Sequence, residues 1–392
     1  MALKTCRAVF MRGGTSKGIV FREGDLPAGL EARNQLFLAA MGSPDPYMRQ
    51  LDGMGGGVSS LSKICIVGPA SRSDADVDFT FVQVEIDRAE VDYAATCGNM
   101  SSTIGPFAVD EGLVPAPADG EAAIRVHNTN TRKVYVARFP VKGGKAVVEG
   151  DLAIDGVAGT AAPVRLDYQD PGGAKTGKLL PTGNAVDMLD MPGVGRIPVS
   201  MIDAANPTVF VAARDVGMNG IELPAALERD LALMEKFEII RRHAAVAMGM
   251  SPDLEHAGNV RSVPKLGILS PPVDQTLISG KHVAAEELDI VARMISVGQP
   301  HRATPLTSAL CLAVACRIPG SIAHQLVRPG DTATPVRIGH PSGEIMVGAG
   351  IEIEGETVRV PYVTMYRTAR RLFQGEVCYV VPDAGAMKAA AE

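Results

Sequence analysis

The chain has 392 residues, 46% hydrophobic and 21% charged, with a formal net charge of −6. That is enough for two domains with well-buried cores, and too apolar for disorder. The negative balance, an aromatic content of 4% and the lack of tryptophan argue against nucleic acid and anionic membranes as partners.

The first half reads as strands broken by tight turns. Residues 5–10 and 18–22 form short apolar strands, and a helix is expected over 31–41, stopped by Gly42. Strands follow at 64–67 and 79–86. An apolar helix is expected over 98–110, ending near Gly112, and antiparallel strands at 122–127, 133–140 and 145–149. The Pro/Gly-rich run at 191–197 suggests a boundary, giving domains of 1–192 and 193–392 with terminal strands free to cross between them. The second half repeats this order. Strands are expected at 200–202 and 208–212, and a long amphipathic helix at 223–248. Strands at 266–269 and 282–284 lead to a helix at 286–295 and an apolar helix at 305–317. Strands at 336–339, 343–353 and 358–366 close the pattern. Runs of strands without regular βαβ alternation predict an α+β fold.

The six cysteines (Cys6, Cys65, Cys97, Cys311, Cys316 and Cys378) show no CxxC pair, and the seven histidines show no metal-binding spacing. Reduced thiols, no metal and no disulfide framework are expected. Residues 1–10 lack a long apolar signal core, and no run approaches a membrane span, so a cytoplasmic location is expected.

The stretch from Thr96 to Ser102 carries the strongest chemical signal. Cys97 stands directly before a helix start, where unpaired backbone amides attract anions and make a thiol more acidic. Gly98, Asn99, Met100 and Ser101 follow, small enough to let a ligand approach the backbone. A small buried cysteine is the plainer alternative. Lys63 ends a glycine-rich loop that includes Met54 and sits at the mouth of the apolar strand 64–67. Partial desolvation there makes the amine a usable base, whereas a surface lysine would stretch to water. The segment from Arg12 to Gly18, with Gly13, Gly14 and Ser16, suits a backbone-amide nest for carboxylate or phosphate, or a polar hairpin turn. It is not a Walker A loop. His301, Arg302 and Thr307, beside the helix at 305–317, offer anion or hydroxyl contacts, or caps and turns.

Together these segments resemble the PrpF family of 2-methylaconitate cis-trans, methylitaconate Δ- and 4-oxalomesaconate isomerases or tautomerases. The matching runs are MRGGTSKG at Met11, GSPDPY at Gly42, DGMGGGVSSLSK at Asp52, CGNMSSTIGPFA at Cys97 and PTGNAVD at Pro181. NPTVFV at Asn206, HRATPLT at His301, IPGS at Ile318 and GHPSG at Gly339 continue it across nearly the whole chain. The resemblance implies a diaminopimelate-epimerase-like fold. Such a fold has two similar α+β domains, each with strands wrapped around a central helix, and a site between them. It implies Lys63 and Cys97 as proton-transfer groups, Arg12, Ser16 and Met54 near the substrate, and a carboxylate cradle at Gly98, Asn99, Met100 and Ser101. His301, Arg302 and Thr307 would contribute from the second half.

Epimerases of this architecture carry a thiol at each central helix start. Here the second helix begins Ala303-Thr304-Pro305, without one, which disfavours a two-thiol racemase. The expected reaction is a cofactor-free double-bond shift or cis-trans isomerisation in a small unsaturated di- or tricarboxylate. Alternatives are a tautomerase of an oxalomesaconate-type substrate and a non-catalytic polycarboxylate-binding accessory of a dehydratase. A homodimer is a further expectation.

Overall fold

The computed structural model describes residues 3–93, 96–154, 156–260, 263–296, 298–331, 334–355 and 357–380. The chain forms two compact units, one built from residues up to Asp167 and from Tyr366 onward, the other from Tyr168 to Met365. The break expected after residue 192 lies inside the second unit.

In the first unit, β1 (Leu3–Gly13) and β2 (Ser16–Arg22) form an antiparallel hairpin. α1 (Leu30–Met41) ends at Gly42, whose φ of 75° is the left-handed conformation a glycine cap supplies. β3 (Lys63–Pro69) runs parallel to β2 and antiparallel to β4 (Val77–Val84). After β5 (Val91–Asp92) comes α2 (Gly98–Asp110), at the expected position. β6 (Asp119–Asn128), β7 (Lys133–Lys142) and β8 (Lys145–Ala146) follow, then the small hairpin of β9 (Leu152–Ile154) and β10 (Val157–Ala161), and β11 (Pro163–Gln169).

The second unit opens with the hairpin of β12 (Asp187–Met191) and β13 (Gly195–Ala204). The Pro/Gly-rich run read as a linker is the turn of this hairpin, Met191 pairing with Gly195. β14 (Asn206–Ala212) follows, then α3 (Pro224–Arg229), α4 (Leu231–Ala247) and α5 (Leu254–Asn259). The single helix expected at 223–248 is two. Asp230 leaves the helical backbone, and its carboxylate accepts the Leu233 amide at 2.9 Å, capping a new start. β15 (Lys265–Ser270), β16 (Gln275–Thr276), β17 (His282–Val283) and β18 (Ile290–Ser296) come next.

The helix expected at 286–295 is instead a short 3₁₀ turn followed by β18. Ile290, Val291 and Ile295 favour strand, and β18 lies between β15 and β20 (Val336–His340). β18 is buried on both faces, with Arg293 its one charged residue, so no period-two alternation shows. Between them lie β19 (Gln299–Pro300), α6 (Leu306–Ala315) and α7 (Ile322–Leu326). β21 (Gly343–Ala349), β22 (Glu352–Glu354) and β23 (Thr357–Arg359) lead to β24 (Tyr362–Val380), a 19-residue strand where a strand ending at 366 was expected.

From Ala369 to Val380, β24 pairs antiparallel with β1. The ladders β24–β1–β2–β3–β4–β6–β7–β11 and back to β24 close a ring of eight strands in the first unit. α2 runs through it, every residue from Met100 to Val109 buried, and packs on β1, β2, β3, β4, β6 and β7. α1 covers the opposite face of this sheet, where Phe37 and Met41 meet Ile19, Phe21, Ile64 and Val82. In the second unit α6 is buried from Ser308 to Ala315 and packs on β13, β14 and β21. Each unit thus has strands wrapped on one apolar helix, the α+β arrangement anticipated from the diaminopimelate-epimerase-like resemblance.

Candidate active site

The β1–β2 turn is shaped by α2. Gly14 has φ of 50°, and a Cβ there would overlap the Asn99 side chain and Arg367. A Cβ on Gly13 would strike the Asn99 carbonyl and Thr103. The paired glycines of MRGGTSKG therefore let the hairpin tip close over the first turn of α2. Asn99 is the point of contact. Its Nδ2 donates to Thr15 Oγ1 at 2.9 Å and Ser16 Oγ at 3.4 Å, while its Oδ1 accepts from Arg367 Nε at 2.9 Å. Arg12 binds the same region together. Its Nη1 donates to the carbonyls of Gly14 and Thr368 and to Thr368 Oγ1, at 3.0 to 3.1 Å. Burial, with Arg370 nearby, holds its pKa below the usual arginine value.

Cys97 is the N-cap of α2. It has an extended backbone (φ −128°, ψ 105°), and its carbonyl accepts the Ser101 amide at 3.0 Å. The amides of Gly98, Asn99 and Met100 have no carbonyl partner inside the helix, so this end carries partial positive charge. Thr96 on the preceding loop is held by Asn128 Nδ2 at 2.6 Å. Ser101 and Met100 are fully buried. The Ser101 hydroxyl donates back to the Cys97 carbonyl, and the Ser101 carbonyl accepts from Tyr135 at 3.0 Å. These two residues brace the turn, and only their backbone can face a ligand.

Lys63 opens β3. It pairs with Gly18 on β2, where a Cβ would overlap the Lys63 backbone, and with Gln83 on β4. Lys63 is 8% exposed. Its Nζ donates to Gln83 Oε1 at 2.8 Å and lies 4.9 Å from the centre of the Phe81 ring. Two residues along the strand, the buried Cys65 thiol is raised well above the ordinary cysteine range. Loss of hydration is the main cause; negative charge at Cys97 would add to it, and Lys63 opposes it. Cys65 is thus within electrostatic reach of both Lys63 and Cys97, and all three belong to the first unit.

The glycine-rich loop before Lys63 is organised by Gln50. Its amide nitrogen donates to Ser43 Oγ and Ser62 Oγ at 2.8 and 2.7 Å, and its oxygen accepts the Gly57 amide at 3.0 Å. Met54 donates its amide to the Ala40 carbonyl at 2.9 Å and packs on the α1 core.

In the second unit, His301 Nδ1 lies 2.5 Å from the Ala303 carbonyl. Loss of hydration lowers its pKa, the Ala303 bond opposes this, and Lys265 adds to the lowering. Arg302 is exposed, and its carbonyl accepts from Ser342 Oγ at 2.7 Å. Thr307 is exposed in the first turn of α6. The neighbouring Thr304 and Ser308 have buried hydroxyls without a hydrogen-bond partner among the described residues. Cys311 is buried inside α6, where its thiol donates to the Ile202 carbonyl at 3.5 Å and desolvation pushes its pKa to about 12.

The residues of the first unit therefore converge around the start of α2: Ser16, Asn99, Gly98 and Cys97, with Lys63 on the adjoining strand. Sequence reasoning missed Arg367 and Gln83. Arg367 lies 268 positions from Asn99, so no local spacing could reveal it. Gln83 was legible only as a polar residue in a strand, and its partner depends on the β3–β4 register.

The family model for the PrpF protein matches residues 3–380. A 2-methyl-aconitate isomerase of Shewanella oneidensis is 40% identical over 380 residues, covering 94% of this chain and 96% of that protein. A 3-methylitaconate isomerase of Eubacterium barkeri is 42% identical over 371 residues, with the same coverage. The crystal structure of a methylitaconate-delta-isomerase superposes with a TM-score of 0.88 at 40% identity, covering 97% of this chain and 96% of that one. The fold and these likenesses define an isomerase. The chain belongs to the PrpF family.

Proposed function

We propose that this isomerase acts on a small unsaturated polycarboxylate of the aconitate or methylitaconate type, with Lys63 and Cys97 as its proton-transfer groups. The supporting observation is that Lys63 opens β3, one of the strands packed on α2, while Cys97 caps the start of α2 with its unpaired amides. A base removes a proton from the carbon allylic to the C=C bond, and the electron pair spreads into a dienolate stabilised by the α2 amides. The acid partner delivers a proton at the far end of the allylic system, and the double bond shifts. Rotation before delivery gives cis-trans isomerisation. Lys63 is the favoured base and Cys97 the partner. The reaction is redox-neutral, and proton transfer alone completes it, so no cofactor is invoked.

A second reading is favoured by a further likeness: a (4E)-oxalomesaconate Delta-isomerase of a Novosphingobium species is 39% identical over 372 residues. Incubation in deuterated water with aconitates, methylitaconate and oxalomesaconate, followed by NMR, separates the two. Deuterium at one allylic carbon of an aconitate or itaconate, with a shifted double bond, supports the first reading. Turnover of oxalomesaconate alone supports the second. Exchange with none of them refutes both.

A further inference from the structure

The contact that fixes Lys63 is made to a neutral group. On β4, Phe81 and Gln83 face the same side, and β3 lies directly alongside, with Lys63 opposite Gln83 and Cys65 opposite Phe81. Gln83 Oε1 accepts from Lys63 Nζ at 2.8 Å. The other end of the amide fixes which atom faces the amine. Its Nε2 donates to the carbonyls of Ser62 at 2.9 Å and Ser59 at 3.2 Å, in the turn just before β3. An amide flipped by 180° would set N–H against the Lys63 ammonium and oxygen against two carbonyls, so only this orientation satisfies every partner.

The other neighbours of the amine on β3, β4 and α2 bring no carboxylate, and the nearest acidic residue in this cross-strand row is Asp92 on β5, which pairs with Gln83 on the side away from Lys63. The Phe81 ring is on β4, Cys65 is on β3 itself and Cys97 is on α2. On β2, Lys17 sits beside the paired Gly18, but its own Nζ lies over the Phe10 ring at 5.6 Å. Among the described residues no carboxylate lies within ion-pairing distance of Lys63 Nζ. A carboxylate partner would stabilise the ammonium and hold its proton. A single amide oxygen orients the amine at much smaller cost to deprotonation.

We propose that Gln83 is a positioning residue that aims Lys63 through a neutral acceptor, leaving the amine able to release its proton on each turnover without breaking an ion pair. This rests on the reading of Lys63 as the base.

The test compares wild type with Gln83→Glu, Gln83→Met and Gln83→Asn, each checked for cooperative thermal unfolding. Lys63 is titrated directly by NMR on protein carrying ¹³C at lysine Cε, its resonance assigned by its loss in Lys63→Arg. In parallel, kcat and KM are measured against pH. Gln83→Glu is expected to raise the Lys63 midpoint by about one pH unit or more and to carry the acid limb of kcat/KM upward with it. Gln83→Met is expected to lower kcat ~10–100-fold with little change in KM, as expected for a misaimed reacting group. Gln83→Asn, with a shorter reach, is expected to fall between, and it carries the test if the methionine variant does not fold. An unmoved Lys63 midpoint in Gln83→Glu, or wild-type kcat in the folded methionine and asparagine variants, overturns the proposal. A midpoint that moves while the rate profile stays fixed leaves the Gln83 hold on the amine intact and removes Lys63 as the base.

Discussion

Arg367 Nε donates to Asn99 Oδ1 at 2.9 Å, joining two residues 268 positions apart at the first turn of α2. The bond fixes the Asn99 amide, whose nitrogen then meets Thr15 and Ser16 on the β1–β2 turn. Replacing Arg367 with methionine should let this amide rotate. A lost hydrogen bond to a charged group corresponds to about 1.5–3 kcal/mol, so kcat/KM should fall ~10–100-fold. Steady-state assays well below the unfolding midpoint check this. A lowered midpoint with wild-type kcat/KM would reduce Arg367 to a structural tie.

Lys63→Met and Cys97→Ser should each reduce turnover by ~10²–10⁴, the scale for a positioned acid or base. Deuterium uptake into substrate, read by NMR, checks each half-reaction. Wild-type rates in both variants would end the proposed mechanism.

Alkylation should rank the thiols by exposure. Cys378 is exposed and Cys97 half-buried, whereas Cys6, Cys65, Cys311 and Cys316 are buried. Desolvation also raises the four buried thiols, Cys6 to about 11. Iodoacetamide at neutral pH should label Cys97 and Cys378 first, as read by peptide mass spectrometry. Substrate should protect Cys97 and leave Cys378 unchanged.

Gly14→Ala should cost about 1–3 kcal/mol of stability, because it combines a left-handed backbone with overlap on the Asn99 side chain. Urea denaturation measures the loss. Activity should fall as well, since the displaced group is Asn99.

Glu111, at the C-terminal end of α2, accepts from Arg371 at 2.8 Å and from Arg7 at 3.0 Å, and pairs with Arg22 at 2.9 Å. Burial alone would raise its pKa, but the Arg371 hydrogen bond and the charges of Arg371, Arg22 and Arg7 outweigh it and hold the carboxyl below 4.5. A carboxyl whose folded pKa is depressed stabilises the fold above its unfolded pKa. That contribution is lost as pH falls from about 4.5 through the lower folded value. Glu111→Gln should therefore be less stable than wild type at pH 7 by about 1–3 kcal/mol, and the gap should close in acid. Chemical denaturation from pH 7 to pH 3 measures both.

Much of the first unit was legible from local pattern. The span 98–110 is apolar at helical spacing, bounded by Cys97-Gly98 and Gly112, and the structure has α2 there. Failures arose where tertiary context overrides periodicity. The run 290–296 is buried on both faces, so period could not separate strand from helix. In β24 the stretch from Arg370 to Glu376 is mostly exposed and polar, and only its pairing with β1 makes it a strand. Cys97 and Lys63 were identifiable from motifs. The hydrogen-bond partners of Asn99 and Lys63, Arg367 and Gln83, were not, because each is defined by what lies beside it in space.

The eighth stave of the first ring comes from residues beyond Tyr366, although the other seven are complete by Gln169. During synthesis, Lys63 and Cys97 leave the ribosome long before the strand that seals their barrel, while the whole second unit is made in between. Until β24 arrives, the edge of β1 is an open row of unpaired amides and carbonyls. The chain must shelter that seam for about two hundred residues of translation, and a fragment stopped before residue 366 would leave it permanently unsealed.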